Sequence, residues 1–423
     1  MTLNDVLREL GIPAAYELLL PHWEESLTCM PAEIPFLTSA EISESRAWAG
    51  LQESEEPVLL RTAKTIAENP ALRCLAWHCY RLLYVHTEYS STAKWPSLEK
   101  TLGAATGTFY LLIALAMIPQ VRELHQSMGV ETAVTRLTCF QISTLASNYR
   151  KQTGNLGISL RQIYWLRHYT AGRLFRLGRM EYMLRPFSGV VHAYAHKKTD
   201  RVIALAADGI RYDAAGYVAS DTADPDPQGW TATLTETPEV ITGYPISPLG
   251  FAQRQLIKLD GKAWTRVLAK SDIALEMHIP EGGRMTPDLC AASLRQTVPF
   301  FNKHFPEQPF QAITCSSWIF NTQIADLRLS SNNLVAFQQE LYLFPVRSTG
   351  HDGLWFIFLQ DEFDPKTAPR RTSLQREVLR YLEAGHRWRG GGMFFLTRHL
   401  ERFGTQHYRT QASGPLPDTL ETS

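Results

Sequence analysis

The sequence predicts an α+β protein: an all-helical N-terminal domain followed by a mixed α/β domain with a largely antiparallel sheet. Residues 1–168 repeat apolar side chains every three or four positions, which is the period of amphipathic helices. From residue 169 the chain changes to short β-rich segments separated by Gly, Pro and Asp. The stretch 271–305 combines a strand, a two-glycine turn and a capped helix. These observations also give the predicted domains, namely 1–168, 169–409 and a flexible tail at 410–423.

Composition and charge exclude several classes of protein. The 423 residues are 44% hydrophobic and 20% charged, which is typical of a soluble protein of two or three domains. Lys+Arg and Asp+Glu both number 42, so no global field attracts nucleic acid or an anionic membrane. We therefore expect no nucleic-acid partner and a local binding site. Nothing in the composition predicts an oligomeric state.

The cellular setting follows from the cysteines and the apolar runs. Six cysteines without a CxxC pair indicate reduced core residues of a cytoplasmic protein. The first twenty residues mix acidic and basic side chains among leucines, which does not fit a signal peptide. The run Phe109–Ile118 is about half the length that spans a bilayer, so we expect a buried helix and no membrane span.

Periodicity and capping signals predict the elements in order. The first domain should contain helices that begin with a cap at Asn4 and end near Leu10, followed by Pro57–Asn69, Ala71–Val85, Trp95–Met117, Val121–Met128, Thr132–Gln152 and Ile158–Leu166. The second should contain strands over Leu174–Tyr182, Val190–His196, Val202–Tyr212, Trp230–Thr235, Leu256–Leu259, Ala312–Ile319, Leu341–Val346 and Leu354–Leu359. Its further helices should be one that starts at Asn321, one capped by Ser330 or Ser331, and one over Thr372–Ala384 stopped by Gly385.

The central strand alternates apolar residues with titratable ones. Four aliphatic positions lie on one face, and Ala274, Glu276 and His278 lie on the other, before Pro280 ends the strand. Glu276 and His278 should therefore point to the same side of the sheet. A carboxylate and an imidazole so placed can take a proton from a reacting group.

A turn and a capped helix follow this strand. Gly282 and Gly283 tolerate positive φ and leave room for a ligand beside bare backbone. Thr286 suits the N-cap and Pro287 the first helical position, while Pro299 should kink or end the helix. Backbone N–H groups and the positive end of a helix at one point favour a phosphate site.

Four phrases resemble a known family: LEMHIPEGGRMTPD, FFNKHFPEQPFQAITCSSWIF, SSNNLVAFQQELYLFPV and TSLQREVLRYLEAGHRWRGGGMFFL. They are similar to GNAT-like acyltransferases, a bacterial group with a helical N-terminal acyltransferase domain and a GNAT-like C-terminal domain. The resemblance implies acyl transfer from an acyl-CoA co-substrate to an amine-bearing small molecule or peptide. In the wider superfamily the turn after this strand holds the pyrophosphate of coenzyme A. Here the turn keeps two glycines and a basic residue, at a different spacing.

This resemblance assigns roles to residues of the chain. Glu276 and His278 become base candidates, while Cys315 and Ser317, on the next strand, could protonate the leaving thiolate or bind the acyl oxygen. The residues expected to contact coenzyme A are Ile279, Gly282, Gly283, Arg284, Met285, Thr286 and Asn333.

Alternatives remain open at this point. The altered turn spacing suits a catalytically inactive, GNAT-like ligand-binding or regulatory protein, and Cys315 to Ser317 could instead serve a thiol or serine hydrolase. The run Gly385–Gly392 is either a backbone nest for an anion or a turn whose tryptophan closes the core. His192 and His196 share a strand face about 13 Å apart, too far to share an ion, so we expect no metal.

Overall fold

The computed structural model describes residues 1–219, 226–329 and 333–420. The helix cap predicted at Ser330 or Ser331 and part of the predicted loop at 220–229 lie outside these residues. The chain forms two compact units, one of Met1–Arg176 with Pro280–Gly282, the other of Leu177–Ile279 with Gly283–Ser423.

The first unit is helical, as predicted. Its helices in chain order are α1 Leu3–Glu9, α2 Tyr16–Leu19, α3 Trp23–Thr28, α4 Ser39–Ala49, α5 Glu56–Glu68, α6 Pro70–Tyr84, α7 Glu99–Leu102, α8 Thr106–Leu115, α9 Met117–Ser127, α10 Thr132–Cys139, α11 Gln141–Thr153, α12 Leu160–Ile163 and α13 Arg167–Thr170. The helices predicted from Pro57 and Ala71 are confirmed as α5 and α6. All residues of α8 from Gly107 onward are buried, so the apolar run forms the core of this unit.

Several predicted helix bounds in this unit were wrong, among them that of Thr132–Gln152, which forms the two helices α10 and α11. The first helix is capped by Thr2, whose hydroxyl accepts a hydrogen bond from the Asp5 backbone N–H at 3.2 Å, and not by Asn4. The long helix predicted from Trp95 is broken at Gly103, which has φ 54°. Among the described residues, one helical run, Glu99–Ser127, is long and apolar enough to cross a membrane, and 67% of its most apolar window is buried within the protein.

The second unit combines strands and helices. Its strands are β1 Phe175–Leu177, at the division between the units, β2 Met180–Pro186, β3 Val191–His196, β4 Val202–Ala206, β5 Arg211–Tyr212, β6 Trp230–Thr231, β7 Thr235–Glu236, β8 Val240–Gly243, β9 Pro245–Ser247, β10 Phe251–Ala252, β11 Ile257–Asp260, β12 Trp264–Leu268, β13 Ile273–His278, β14 Ala312–Ser317, β15 Tyr342–Phe344, β16 Gly391–Leu396 and β17 Thr419–Leu420. Its helices are α14 Pro287–Arg295, α15 Thr297–His304, α16 Asn333–Gln339, α17 Leu354–Phe358, α18 Ser373–Glu383 and α19 His407–Ala412.

The sheets confirm the predicted fold class. The main sheet has the order β1-β2-β13-β14-β16-β15, and within it only β13 and β14 are recorded as a parallel pair. The five-stranded sheet β10-β9-β4-β3-β12 and the four-stranded sheet β17-β11-β8-β7 have antiparallel pairings. The strand that carries the titratable pair therefore lies in the middle of the main sheet.

The helix after the glycine turn begins as predicted but ends earlier. Thr286 has the extended N-cap conformation and Pro287 occupies the first helical position. The helix stops at Arg295, and α15 begins two residues later, with Pro299 in its first turn. A proline in the first turn of a helix lacks only an N–H that would have no helical partner, so it neither kinks nor ends this helix.

Three other predictions differ from the structure. The strand predicted over Leu354–Leu359 is helix α17, because a short apolar run fits a buried strand and a buried helix equally well. Strand β16 was not predicted, since three glycines precede its apolar residues. Part of the tail predicted to be flexible forms β17, which pairs with β11, and Asp418 lies 2.8 Å from the His196 Nε2 atom.

Candidate active site

The two parallel strands at the centre of the main sheet diverge. Strand β13 pairs with β2 over all six of its residues, and β14 pairs with β16 over all six of its own. Between β13 and β14 the register covers only Leu275 with Ile313 and Glu276 with Thr314. Both strands continue past this ladder, so their carboxyl ends form the two sides of an opening bordered by backbone N–H and C=O groups.

A cleft of about 180 Å³ lies at this point of divergence. Its lining residues are Arg185, Pro186, Phe187, Ser188, Glu276, Thr314, Cys315 and Ser316. Residues that pair across strands point to the same side of a sheet, which places Glu276 beside Thr314, with Ser316 two residues further along β14. The cleft therefore has a carboxylate from β13 and two hydroxyl groups from β14, and Ser188 adds a third hydroxyl group. Ser316, which is exposed, belongs to the segment Cys315 to Ser317 that the sequence singled out.

Glu276 and His278 lie on one face of β13, as the alternation predicted. Their side chains are 28% and 22% exposed, and the Glu276 Oε2 atom lies 3.8 Å from the His278 Nε2 atom. Arg185 of β2 donates a hydrogen bond to the same carboxylate oxygen at 3.0 Å. Arg185 thus holds the carboxylate beside the imidazole.

The environment of His278 keeps its imidazole neutral near pH 7. Burial, with the Arg185 charge as a second cause, lowers the pKa of His278 to about 4. Directly opposite His278 on β2 is Glu181, which is 1% exposed. A neutral imidazole has a ring nitrogen that can accept a proton, which a general base requires.

The structure gives Cys315 and Ser317 different surroundings. Cys315 is 6% exposed, and burial, together with the Glu276 charge, raises the pKa of its thiol above the ordinary value. Such a thiol is a poor nucleophile, because the thiolate is the reactive form. The Ser317 hydroxyl accepts a hydrogen bond from the Ile319 backbone N–H at 3.3 Å and caps a short 3₁₀ turn. These contacts favour structural roles for both side chains.

The predicted glycine turn has the backbone conformation that the sequence required. Gly282 has φ 85° and Gly283 has φ 78°, values that L side chains rarely adopt. Both glycines and Arg284 are exposed, whereas Met285 is buried. The predicted contacts Ile279 and Thr286, which flank this turn, and Asn333, the first residue of α16, are half-buried.

A second arginine near this turn was missed. A Cβ atom on Gly283 would lie 3.6 Å from the Arg179 Nε atom, so the guanidinium of Arg179 lies close to the turn. Arg179 is in the tight turn between β1 and β2, far from Gly283 in sequence. The sequence predicted one strand over Leu174–Tyr182, so it did not indicate that Arg179 lies in a turn between two strands.

The run Gly385–Gly392 places its tryptophan in the core and its last two glycines in strand β16, although Gly385 and His386 are exposed. Trp388 is 0% exposed, and its indole N–H donates to the Asp352 carbonyl oxygen at 2.9 Å. A Cβ atom on Gly391 would lie 2.0 Å from the Phe320 carbonyl oxygen. The glycines of β16 therefore allow close packing, and the prediction of a buried tryptophan is confirmed.

The second unit also has a larger open groove of about 1030 Å³. Its walls include Arg201, Tyr342, Arg409 and the segment 412–416. The Arg201 guanidinium donates to the carbonyl oxygens of Gly414 and Pro415 at 2.6 and 2.5 Å. None of the residues lining this groove also lines the cleft at β13 and β14.

A parallel pair of strands that diverge inside a mostly antiparallel sheet, followed by a turn and a helix, defines the class of GNAT-like acyltransferases. The chain belongs to this class. The sequence pattern of the GNAT-like C-terminal domain matches residues 174–395, and that of the N-acyltransferase N-terminal domain matches residues 40–172. The protein is therefore an acyltransferase of the GNAT-like family.

Solved acyltransferases share the fold. A structure of an acyltransferase in complex with decanoyl-CoA and teicoplanin is 20% identical, with a TM-score of 0.63 over 94% of this chain and 100% of that one. Another, in complex with CoA and 10C-teicoplanin, has the same identity and coverage and a TM-score of 0.64. A third, in complex with decanoyl-CoA, is 21% identical, with a TM-score of 0.60 over 93% of this chain and 99% of that one. No curated protein matches the sequence.

Proposed function

We propose that this protein is an acyl-CoA-dependent N-acyltransferase that transfers an acyl group from a coenzyme A thioester to an amine. The observation that carries the proposal is the divergence of β13 and β14, with Glu276 and His278 on the strand that borders the opening. The decanoyl-CoA complexes of structural relatives support a thioester donor.

Coenzyme A is proposed to bind along β13 and at the turn that follows. The amides of the pantetheine arm pair with the backbone edge of β13 as an added strand would. The pyrophosphate lies at Gly282 and Gly283, where Arg179 and Arg284 contribute positive charge and α14 contributes its N-terminal end. Ile279, Met285, Thr286 and Asn333 complete the proposed contact set.

The proposed chemistry uses the two titratable groups of β13. The acceptor nitrogen attacks the thioester carbon, so that an N–C bond forms and the C–S bond breaks. Glu276 or His278 takes the proton that the nitrogen loses, directly or through water, and the proton finally reaches the coenzyme A sulfur. Most of the acceleration comes from holding the amine and the thioester together in one site.

The acceptor and the cellular location are also proposals. We propose an amine-bearing small molecule or peptide as acceptor, and the teicoplanin in relatives' structures makes a glycopeptide amine the first one to test. All six cysteines are free thiols, five of them buried and Cys29 exposed, which supports a reducing compartment such as the cytoplasm. A bacterial source is proposed from the family resemblance.

The second candidate function is that of an inactive, GNAT-like binding or regulatory protein. One observation favours it: the turn carries two adjacent glycines in place of the spacing found across the superfamily. Such a protein would bind acyl-CoA without turnover. Substitutions at Glu276 and His278 would then leave its affinity for acyl-CoA unchanged, and neither the native protein nor the variants would form product.

Calorimetric titration with decanoyl-CoA tests the proposed cofactor site. We expect native protein to bind and the Gly283→Asp variant to lose binding, because a carboxylate beside Arg179 cancels its charge and repels pyrophosphate. Gly209→Asp is the matched control, since Gly209 also has positive φ, 76°, and a Cβ atom there meets no atom within 4 Å. Equal loss in both variants, or no loss in either, would contradict the assignment of the turn.

The pH dependence of acyl transfer tests His278. Its pKa of about 4 lies below the ordinary value, so the imidazole stays unprotonated until the pH falls to about 4. If His278 is the base, kcat plotted against pH falls off on its acid side near pH 4. The Arg185→Gln variant removes a positive charge that lowers the pKa of His278, so this fall should move to higher pH. A fall that does not move in this variant would rule out His278 as the titrating group.

A further inference from the structure

Two histidines and a glutamate of the helical unit meet in space although they lie far apart in the chain. His22 immediately precedes α3, and His86 and Glu88 follow the end of α6. One potential ligand atom from each of the three lies within 4.8 Å of the other two. The group belongs to a different unit from the cleft at β13 and β14.

One distance within this group equals the separation of two ligands around one ion, and a second is about half an ångström longer. The Glu88 Oε1 atom lies 3.3 Å from the His22 Nε2 atom and 3.8 Å from the His86 Nδ1 atom. Hydrogen bonds from N–H to O usually span 2.7–3.2 Å, so both distances are long for that purpose. Two ligands that each lie about 2.0–2.1 Å from a tetrahedral Zn²⁺ are separated by about 3.3 Å.

A second carboxylate faces the other ring nitrogens. Glu25 lies 3.4 Å from the His22 Nδ1 atom and 3.5 Å from the His86 Nε2 atom. Arg81 pairs with Glu25 at 2.5 Å and also lies 3.3 Å from the His86 Nε2 atom. In metal sites a carboxylate commonly accepts the N–H of a ligating imidazole and fixes its tautomer, which is the position of Glu25 beside the His22 Nδ1 atom. At His86 the Arg81 guanidinium competes for the Nε2 atom, so Arg81 has to release that nitrogen when His86 ligates through Nδ1.

The charge of this cluster suits a dication. Two carboxylates and one guanidinium give a net charge of minus one when both imidazoles are neutral. The His86 side chain is 11% exposed, so its ring is held in place by the surrounding residues. Nitrogen ligands select borderline metals such as Zn²⁺ over Mg²⁺ and Ca²⁺, which prefer all-oxygen sites.

His22 is the side chain that has to adjust. The two rings are stacked, with centroids 3.7 Å apart and an angle of 12° between their planes. The lone pair of each imidazole nitrogen lies in the plane of its ring, so two parallel rings cannot both direct a lone pair at one ion until one of them turns. The His22 side chain is 36% exposed, so its ring can turn toward the ion without disturbing the core. Its backbone has φ 59°, a conformation uncommon outside glycine and found at functional sites.

We propose that His22, His86 and Glu88 bind a divalent transition-metal ion of the Zn²⁺ type, with a fourth position open to water. The ion would join the start of α3 to the segment after α6 and stabilise the helical unit. This site is separate from the acyl-transfer cleft. Chain spacing predicted no metal because it could not show that His22 and His86 meet.

The test is calorimetric titration of tag-free, chelator-treated full-length protein with ZnCl₂, and separately with MgCl₂. We expect one saturable Zn²⁺ site, no comparable Mg²⁺ site, and a rise in Tm with Zn²⁺ concentration, because a ligand that binds only the folded state stabilises it. Binding should weaken as pH falls, since protonated imidazoles do not ligate.

Variants locate the site. Glu88→Gln changes a side chain that is 67% exposed and should weaken Zn²⁺ binding by at least about tenfold, while His86→Gln should abolish it. Glu24→Gln removes an equal charge from the neighbouring exposed position on α3 and should bind as native protein does. Zn²⁺ binding that Glu88→Gln and His86→Gln leave unchanged, equal loss in Glu24→Gln, or no saturable Zn²⁺ binding by folded protein would overturn the proposal.

Discussion

Replacing Glu276 and His278 together by glutamine is expected to lower kcat for acyl transfer by about 10²- to 10⁴-fold, the usual contribution of a positioned general base. Glutamine keeps the approximate size of both side chains but cannot take the proton from the attacking nitrogen. Arg185, which loses its carboxylate partner, is 54% exposed and remains solvated, so the fold should be retained. Transfer is measured as release of the coenzyme A thiol in the presence of a glycopeptide amine.

Affinity separates this prediction from simple misfolding. The side chains of Glu276 and His278 are not among the proposed contacts to coenzyme A, so binding of decanoyl-CoA by the double variant should equal that of native protein. The matched control is Glu362→Gln with His351→Gln, two exposed residues of the same unit, for which kcat should not change. An unchanged kcat in the Glu276 and His278 variant would remove both residues from the mechanism, whatever its affinity.

The largest effect on stability is expected from Trp388→Ala. Trp388 is fully buried in a cluster with Ile324, Leu354 and Val378, and the change also leaves the Asp352 carbonyl oxygen without its indole donor. Removing a buried aromatic side chain costs about 3–5 kcal/mol in the free energy of unfolding. Urea denaturation measures this change as a shift of the midpoint concentration, provided that the dependence of the free energy of unfolding on urea concentration has the same slope in both proteins.

Two further variants show whether the loss of stability comes from burial of the ring and from its hydrogen bond. Phe356→Ala removes an aromatic ring that is 53% exposed on the neighbouring helix α17 and should change the free energy of unfolding by less than about 0.5 kcal/mol. Trp388→Phe restores most of the ring but not the hydrogen bond and should be intermediate. A Trp388→Ala variant as stable as native protein would show that this tryptophan does not close the core.

The parts of the site that depend on local periodicity could be predicted from the sequence. Alternation of side chains places Glu276 and His278 on one face of any strand, and adjacent glycines before a Thr-Pro pair indicate a turn followed by a helix. The structure has both features. The roles assigned to these residues remain proposals, because periodicity fixes position and not chemistry.

The parts that depend on distant chain segments could not be predicted. Arg179 reaches the glycine turn from another hairpin, and Glu181 faces His278 through the register of β2 with β13. Strand β16 was not predicted because Gly391 and Gly392 weaken the sequence signal of a strand. The structure requires glycine at position 391, since the close contact with Phe320 leaves no room for a larger residue. Each of these features is set by tertiary packing.

A crystal structure of the protein with decanoyl-CoA tests the central claim most directly. We predict that the pantetheine arm pairs with β13 where it diverges from β14, and that the thioester carbonyl lies beside the cleft that Glu276 borders. The pyrophosphate should contact the amides of Gly282 and Gly283. Decanoyl-CoA bound instead in the larger groove at Arg201 and Arg409, with the opening between β13 and β14 unoccupied, would contradict the account.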